Sequence, residues 1–254
     1  MKIVTLMENT SCREDLTCEH GLSLYLETEN HKILFDAGQS AAFADNAEKL
    51  GVDLKHVDFA VLSHGHYDHG GGLGKFLECN ETAPVYVSSH AFEPHYSRNG
   101  YIGLDLSLES SGRIAFVSRE LKLAEGVTLH QIACAPADTA GLEMEENGVR
   151  KPDDFRHEQY LMIEEQGKRI LISGCSHKGI LNIMEAFQPD ILVGGFHFMK
   201  ITDNTWLKAA AEKLLAYDTF YYTGHCTGQT QYDYLKSIMG DQLHYLSTGA
   251  VLEL

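Results

Sequence analysis

The feature that most constrains this chain is the run Ser63-His64-Gly65-His66-Tyr67-Asp68-His69-Gly70-Gly71-Gly72-Leu73, which packs three histidines and an aspartate into six positions. The apolar stretch Phe59-Ala60-Val61-Leu62 directly before it reads as a buried strand. A buried strand that ends on so many polar groups must pair them or give them to a cation, because an unpaired buried polar group costs roughly 2–7 kcal/mol. His64 and His66 are two apart, so an extended backbone sends both rings to one side, within reach of one ion. Asp68 and His69 follow where glycines turn the chain toward a helix, and their changed direction suits a second ion. One short loop is thus expected to supply half of a two-metal centre. The competing reading is a solvated histidine-rich turn, and the position directly after a buried strand speaks against it.

A chain of 254 residues with 44% hydrophobic side chains can bury a large core, and one domain over residues 1–254 is expected. Lys and Arg number 20 against 36 Asp and Glu, a formal charge of −16 that repels polyanions, so nucleic acid is not an expected partner. The N-terminal Met1-Lys2-Ile3-Val4-Thr5-Leu6-Met7-Glu8 lacks the apolar core of a signal peptide and reads as a first strand. No apolar run approaches the ~20 residues that span a bilayer, so no membrane association is expected. The six cysteines form no Cys-x-x-Cys pair and are sparse for a disulfide scaffold, which predicts a reducing, cytoplasmic setting.

Hydrophobic periodicity predicts early strands over 2–7, 22–27 and 32–35, a helix over 41–50 closed by Gly51, a strand over 59–62, and a helix from Gly70 to Leu77. A strand over 84–88 follows, then a surface loop over 97–111, strands over 113–117 and 127–133, and a polar surface excursion over 136–157. The stretches 96–101 and 142–155 are expected to act as lids. The second half alternates more regularly: a hairpin over 160–164 and 169–173, helices over 180–187, 205–217 and 229–239, and strands over 190–193, 219–223, 243–246 and 251–254. Mixed strands with helices in both halves suit several α/β folds.

The His-x-His-x-Asp-His pattern of residues 64–69 resembles the signature of the metallo-β-lactamase superfamily. Gly174-Cys175-Ser176-His177-Lys178-Gly179-Ile180, Gly194-Gly195-Phe196-His197-Phe198 and Tyr222-Thr223-Gly224-His225-Cys226-Thr227-Gly228 resemble its dihydropteroate-synthase-like or dihydropterin-ribofuranosyl-aminobenzene-phosphate synthase branch. The likeness runs from Lys2 to Leu252. It implies an α/β (α+β) fold, a four-layer αββα sandwich of two mixed β-sheets with helices on both outer faces.

His64, His66, Asp68 and His69 need further ligands from other strand ends, and His177 and His225 are the best placed, each after a predicted strand and flanked by glycine. The chain departs from the superfamily pattern at Cys175, which stands where a bridging aspartate is usual; a thiolate there would ligate a metal, and a small buried side chain is the alternative. The resemblance also implies a middle histidine, for which His90 is the first choice and His157, His95 and His130 the others. His197 is expected to face the cleft, as a catalytic or substrate-contacting group or as a structural one. Thr227 and Gly228 are expected to shape an anion-binding turn, with Lys178 adding charge or remaining solvated.

Imidazoles plus carboxylate suit zinc, manganese or iron, with zinc first. Two such ions bring the pKa of bound water from ~15.7 toward ~7, so a nucleophile is available without a protein base, and Asp68 both ligates and orients. The expected function is a binuclear metal-dependent hydrolase of a small anionic substrate, a phosphoester or a nucleotide- or pterin-like molecule. The alternatives are a synthase joining a dihydropterin diphosphate to a ribofuranosyl-aminobenzene phosphate, as the branch resemblance implies, a diiron redox protein, or a non-catalytic metal-binding protein.

Overall fold

The computed structural model describes residues 1–136 and 141–254. They fall into two compact units, each drawn from separated segments, so no single cut in the chain divides them. The first unit takes in Met1–Ser118, the segment ending at Gln159, and Ser247–Leu254; the second takes in the segment beginning at Arg119 together with Tyr160–Leu246.

In the first unit the chain runs through β1 (Lys2–Met7), β2 (Ser23–Glu27), β3 (Lys32–Phe35), α1 (Ala42–Lys49), β4 (Phe59–Val61), α2 (Tyr67–Gly70), α3 (Leu73–Cys79), β5 (Val85–Ser88), β6 (His95–Ser97), β7 (Gly100–Tyr101) and β8 (Ile114–Val117). After an excursion into the second unit it adds β11 (Glu143–Glu146) and β12 (Val149–Pro152), and it ends on β18 (Val251–Glu253). A seven-stranded mixed sheet has the order β18-β1-β2-β3-β4-β5-β8, antiparallel through β3 and parallel from β3 to β8. Helix α1 turns Phe43, Asn46 and Ala47 inward at the spacing of one helical face. The core they join holds Leu6, Leu34, Phe76, Val85 and Val87. Asn46 is fully buried and fully used: its amide donates to the Leu6 and Thr17 carbonyls, and its oxygen accepts the Thr17 N–H.

A four-stranded sheet, β12-β11-β6-β7, forms where surface loops were expected. Residues 137–140 of the predicted excursion lie outside the described residues, but 143–152 is a hairpin. Its turn is Asn147-Gly148, both at positive φ, the two-residue turn that matches strand twist. Both expected lid stretches contribute to this sheet.

The second unit holds β9 (Leu121–Ala124), β10 (Val127–His130), β13 (Tyr160–Glu165), β14 (Lys168–Ile172), α4 (Ile180–Phe187), β15 (Ile191–Val193), α5 (Asn204–Leu214), β16 (Phe220–Thr223), α6 (Gln229–Met239) and β17 (Leu243–Tyr245). Its seven-stranded sheet has the order β17-β16-β15-β14-β13-β10-β9, with β14 to β17 parallel and a helix between each successive pair. Met162, Leu171, Leu192 and Tyr221 of the sheet are buried with Ile183, Leu207, Ala211 and Leu235 of the helices. Two mixed sheets, each with helices, agree with the fold class expected from sequence. Among the described residues no helix is long and apolar enough to cross a membrane.

The glycines after His69 are required by close packing. A Cβ on Gly72 would lie 2.1 Å from the Ala37 carbonyl oxygen and 2.6 Å from that of Ser40, whereas on Gly74 it would meet only a Leu108 methyl at 3.8 Å. Gly72→Ala is expected to destabilise the protein by about 1–3 kcal/mol. Gly74→Ala, inside α3, is expected to be neutral or to stabilise by up to about 1 kcal/mol. Thermal unfolding of the two variants checks this, and equal midpoints would contradict the steric account.

Candidate metal centre

In the first unit the ionisable side chains gather at the carboxyl ends of β3 and β4, the usual ligand position on parallel strands. Asp36 follows β3 at φ 58° and is 1% exposed. Its Oδ1 accepts the Ser63 N–H at 2.7 Å; its Oδ2 accepts the Ser63 hydroxyl at 2.7 Å and the His69 Nδ1–H at 2.6 Å. The single hydroxyl proton of Ser63 is therefore committed to Asp36, so Ser63 Oγ accepts from His64 Nδ1, 2.8 Å away. One carboxylate thus sets both tautomers through the Nδ1 atoms, which makes Nε2 the ligating atom of each ring, with the ring centroids 4.2 Å apart. Burial opposes protonation of His69, but Asp36 and Asp68 outweigh it and raise its pKa, so a cation at Nε2 is favoured, and a metal ion there would take the place of that proton.

His66 belongs to a second, fully buried group: one ligand atom each from His66, His95, Asp153 and His157 lies within 4.8 Å of the others. His157 Nδ1 accepts the Gly65 N–H at 2.8 Å, which puts its proton on Nε2, 3.3 Å from Asp153 Oδ2. The same oxygen is 2.9 Å from His95 Nδ1, and Asp153 Oδ1 accepts the Phe155 N–H. His95 Nε2 is buried and makes no hydrogen bond among the described residues. An orphaned imidazole nitrogen held in place by a carboxylate on the other side of its ring fits a divalent ion. Burial, followed by the neighbouring His157, presses His66 well below the ordinary imidazole value; burial and then His95 push His157 down to about 4. Burial alone would raise Asp153, but its bonds to His157 and His95 hold it well below the carboxylate range. His66 and His157 are therefore held neutral at ordinary pH, the form that binds metal.

Asp68, with its side chain 13% exposed, places Oδ2 3.8 Å from His69 Nε2. His90 does not join either group. Its side chain is 40% exposed and bonded to Glu93 at 2.9 Å, and Glu93 is in turn held by Arg156. The ion pair satisfies His90 at the surface, and His95, five residues on, stands beside His66 instead. His130, in the second unit, pairs with Glu120.

In the second unit the predicted residues follow the carboxyl ends of three adjacent parallel strands: Cys175 to Lys178 after β14, His197 after β15, and His225 to Gly228 after β16. Ligand atoms of Cys175, His225 and Cys226 lie within 4.8 Å of one another, all buried. His177 and His197 have ring centroids 4.3 Å apart. Lys178 is 6% exposed, and its ammonium donates to the Cys134 carbonyl at 2.9 Å, so it is a buried cation rather than a solvated one. At the turn before α6, the N–H groups of Thr227 and Gly228 themselves are engaged within the protein. The Thr227 and Gly228 N–H groups donate to the Gly224 and His225 carbonyls, and the fully buried Thr227 hydroxyl accepts the Phe196 N–H. These donors are spent on holding His225 at φ 50°.

The sequence reading missed Asp36, Ser63, Asp153 and His20, which lies 3.2 Å from Asp68. Asp36 did carry a signal, since an aspartate directly after the fully apolar Ile33-Leu34-Phe35 has to be paired.

The sequence profile of the metallo-beta-lactamase superfamily matches residues 16–225. An uncharacterized protein of Methanocaldococcus jannaschii, MJ0448, is 31% identical over 241 residues, covering 89% of this chain and 90% of its own. The 7,8-dihydropterin-6-methyl-4-(beta-D-ribofuranosyl)-aminobenzene-5'-phosphate synthase of the same organism is 28% identical over 287 residues, covering 100% of this chain and 96% of its own. Among solved structures, Tm1679, described as a metal-dependent hydrolase of the beta-lactamase superfamily, superposes with a TM-score of 0.84 at 29% identity, covering 100% of this chain and 99% of its own.

Two outcomes follow from the hydrogen bonding. Asp36→Asn keeps the volume but loses an acceptor, and it is expected to weaken zinc binding about 10–100-fold with the fold intact. Competition against a chromogenic chelator, beside a circular dichroism spectrum, checks it; wild-type affinity would refute the role given to Asp36. In chelator-treated protein, His157 has a folded pKa of about 4, below the ordinary imidazole value of about 6.5. Between those values the unfolded chain binds more protons, so stability rises with pH: the His157 share is fully present above about 6.5 and falls toward pH 4 by at most about 1.4 kcal/mol per pH unit, and His66, also lowered, adds a fall of the same sign. Urea midpoints across that range measure the slope, and His157→Gln is expected to reduce it, leaving the His66 share.

Proposed function

The chain belongs to the metallo-beta-lactamase superfamily, and from that premise we propose that it is a metal-dependent hydrolase of a small anionic ester. The observation that carries this reading is the arrangement around Asp36, in which one buried carboxylate holds His64, through Ser63, and His69 by their Nδ1 atoms, as outer carboxylates hold metal-ligating histidines. Two divalent ions are proposed, zinc first and manganese or iron next, held in the first unit by His64, His66, Asp68 and His69. When bound, such ions activate water at neutral pH and stabilise negative charge developing on a phosphoryl or carbonyl oxygen. Asp68 accepts a hydrogen bond from the attacking water and so orients it. In the second unit, His197 and Lys178 have the donor and cationic chemistry that an anionic group requires, and their own variants test them. With a net charge of −16, the chain can retain an anion only through such local groups. Cys175, His177 and His225 have the side-chain chemistry of further ligands, and their own variants test them. The substrate is proposed as a phosphoester or a nucleotide- or pterin-like molecule, and the setting as cytoplasmic.

A second reading is favoured by the full-length likeness to the methanogen synthase, namely coupling of a dihydropterin diphosphate to a ribofuranosyl-aminobenzene phosphate. The same residues would then support departure of diphosphate.

Protein purified without chelator is expected to contain zinc, manganese or iron by elemental analysis. Returning that ion to the chelated protein at 100 times its dissociation constant is expected to add about 2.7 kcal/mol of stability. A panel of chromogenic phosphodiesters assays hydrolysis, and the pterin diphosphate with its aminobenzene acceptor assays coupling. His66→Ala and Asp68→Ala are expected to lower turnover on the order of 10²–10³-fold. Full metal content and full turnover in both variants would end the enzymatic reading, and a coupled product without ester hydrolysis would select the synthase.

A further inference from the structure

We infer that His20 is a positioning residue that fixes the Asp68 carboxylate by donating a hydrogen bond from Nε2 to Oδ2. The inference rests on the metal-dependent reading above. His20 stands in Cys18-Glu19-His20-Gly21-Leu22, outside every motif singled out from sequence. Its Nε2 is 3.2 Å from Asp68 Oδ2, and its side chain is 42% exposed.

The direction of that bond follows from the residues behind the ring. The Gly21 N–H donates to Asn9 Oδ1 at 3.3 Å, which fixes which way the Asn9 amide faces. Asn9 Nδ2 therefore points to His20 Nδ1, 3.4 Å away, and that nitrogen accepts. A neutral imidazole that accepts at Nδ1 carries its proton on Nε2, so the atom facing Asp68 is a donor and has no lone pair for a metal. His20 thus acts on the ion through Asp68 and is not itself a ligand.

The backbone is built to hold this contact. Leu22 N–H donates to the Asp68 carbonyl at 3.2 Å, and a Cβ on Gly21 would lie 2.6 Å from the same oxygen. The His20 segment is therefore pressed against Asp68 at two points, one through the backbone and one through the imidazole. Asp68 Oδ2 also lies 3.8 Å from His69 Nε2. Fixing that oxygen sets the angle at which the carboxylate meets whatever His69 binds, as outer hydrogen bonds do for metal-ligating groups generally.

Zinc affinity by chelator competition, measured for wild type, His20→Ala, His20→Gln, Asp68→Ala and the His20→Ala/Asp68→Ala double variant, tests the inference. His20→Ala is expected to weaken binding about 10–100-fold. His20→Gln, which keeps an N–H at similar reach, is expected to recover most of the loss, and His20→Ala is expected to cost nothing more once Asp68 is gone. Wild-type affinity in His20→Ala, or the same loss in the Asp68→Ala background, would overturn it; the second result would make His20 a ligand in its own right. If wild type binds no divalent ion, the metal-dependent reading falls and the imidazole tautomer decides for His20. Nitrogen-15 shifts of the neutral ring in ion-free protein are expected to show the Nε2–H form, and an Nδ1–H form would refute the inference.

Discussion

The hydrogen bonds that converge on the buried Asp36 carboxylate are what the rest of the site depends on. The charge is tolerated at 1% exposure because it accepts three hydrogen bonds, from the backbone and hydroxyl of Ser63 and from His69. These bonds join the end of β3 to the end of β4. They also convert a structural necessity into a chemical one: a neutral histidine whose Nδ1–H is held presents its Nε2 lone pair, and two histidines are set this way by one acid. Replacing the carboxylate would change the tautomers before it changed the packing.

The same economy recurs in the backbone. Residues that bear chemistry follow the carboxyl ends of parallel strands in both units, where side chains leave the sheet without interrupting its ladder. Several of them sit at positive φ, Asp36, His197 and His225 among them. Such conformations cost of order 1–3 kcal/mol each and persist only where neighbours over-determine them. The Thr227 and Gly228 N–H groups are two such determinants, closing a turn around His225.

Legibility in the sequence followed sequence distance. His64 to His69 could be read because their geometry is local: two-residue spacing on an extended segment, then a turn. The strand and helix alternation of the second half was legible for the same reason, and helices 180–187 and 229–239 have the predicted bounds. Asp36 was legible only as a buried acid that needed a partner, since His69 lies 33 residues on; Asp153 has one partner, His157, four residues away, but its other, His95, lies 58 residues back, and neither pairing is marked by the local sequence. The β11–β12 hairpin was passed over despite Asn147-Gly148, because its strands Glu143-Met144-Glu145-Glu146 and Val149-Arg150-Lys151-Pro152 lack the apolar alternation that normally accompanies that turn. His90 drew attention by standing just after a strand, but an exposed imidazole beside Glu93 is satisfied by an ion pair that the sequence spacing also permits.

Counting ring nitrogens separates the histidines near His66. His157 has both in use, Nδ1 by the Gly65 N–H and Nε2 by Asp153, so it is a peg that ties the His-x-His backbone to the acid. His95 spends only Nδ1 on Asp153, and its Nε2 remains buried without a hydrogen bond. An orphaned imidazole nitrogen at that depth is a liability of about 1–3 kcal/mol in a site that holds nothing. In a site that held a cation, the same atom would be a ligand already oriented by Asp153 through the other side of its ring. Asp153 therefore stands to His95 as Asp36 stands to His69, and the four-stranded sheet that was expected to be loose surface loop is the scaffold that carries His95 and leads into Asp153.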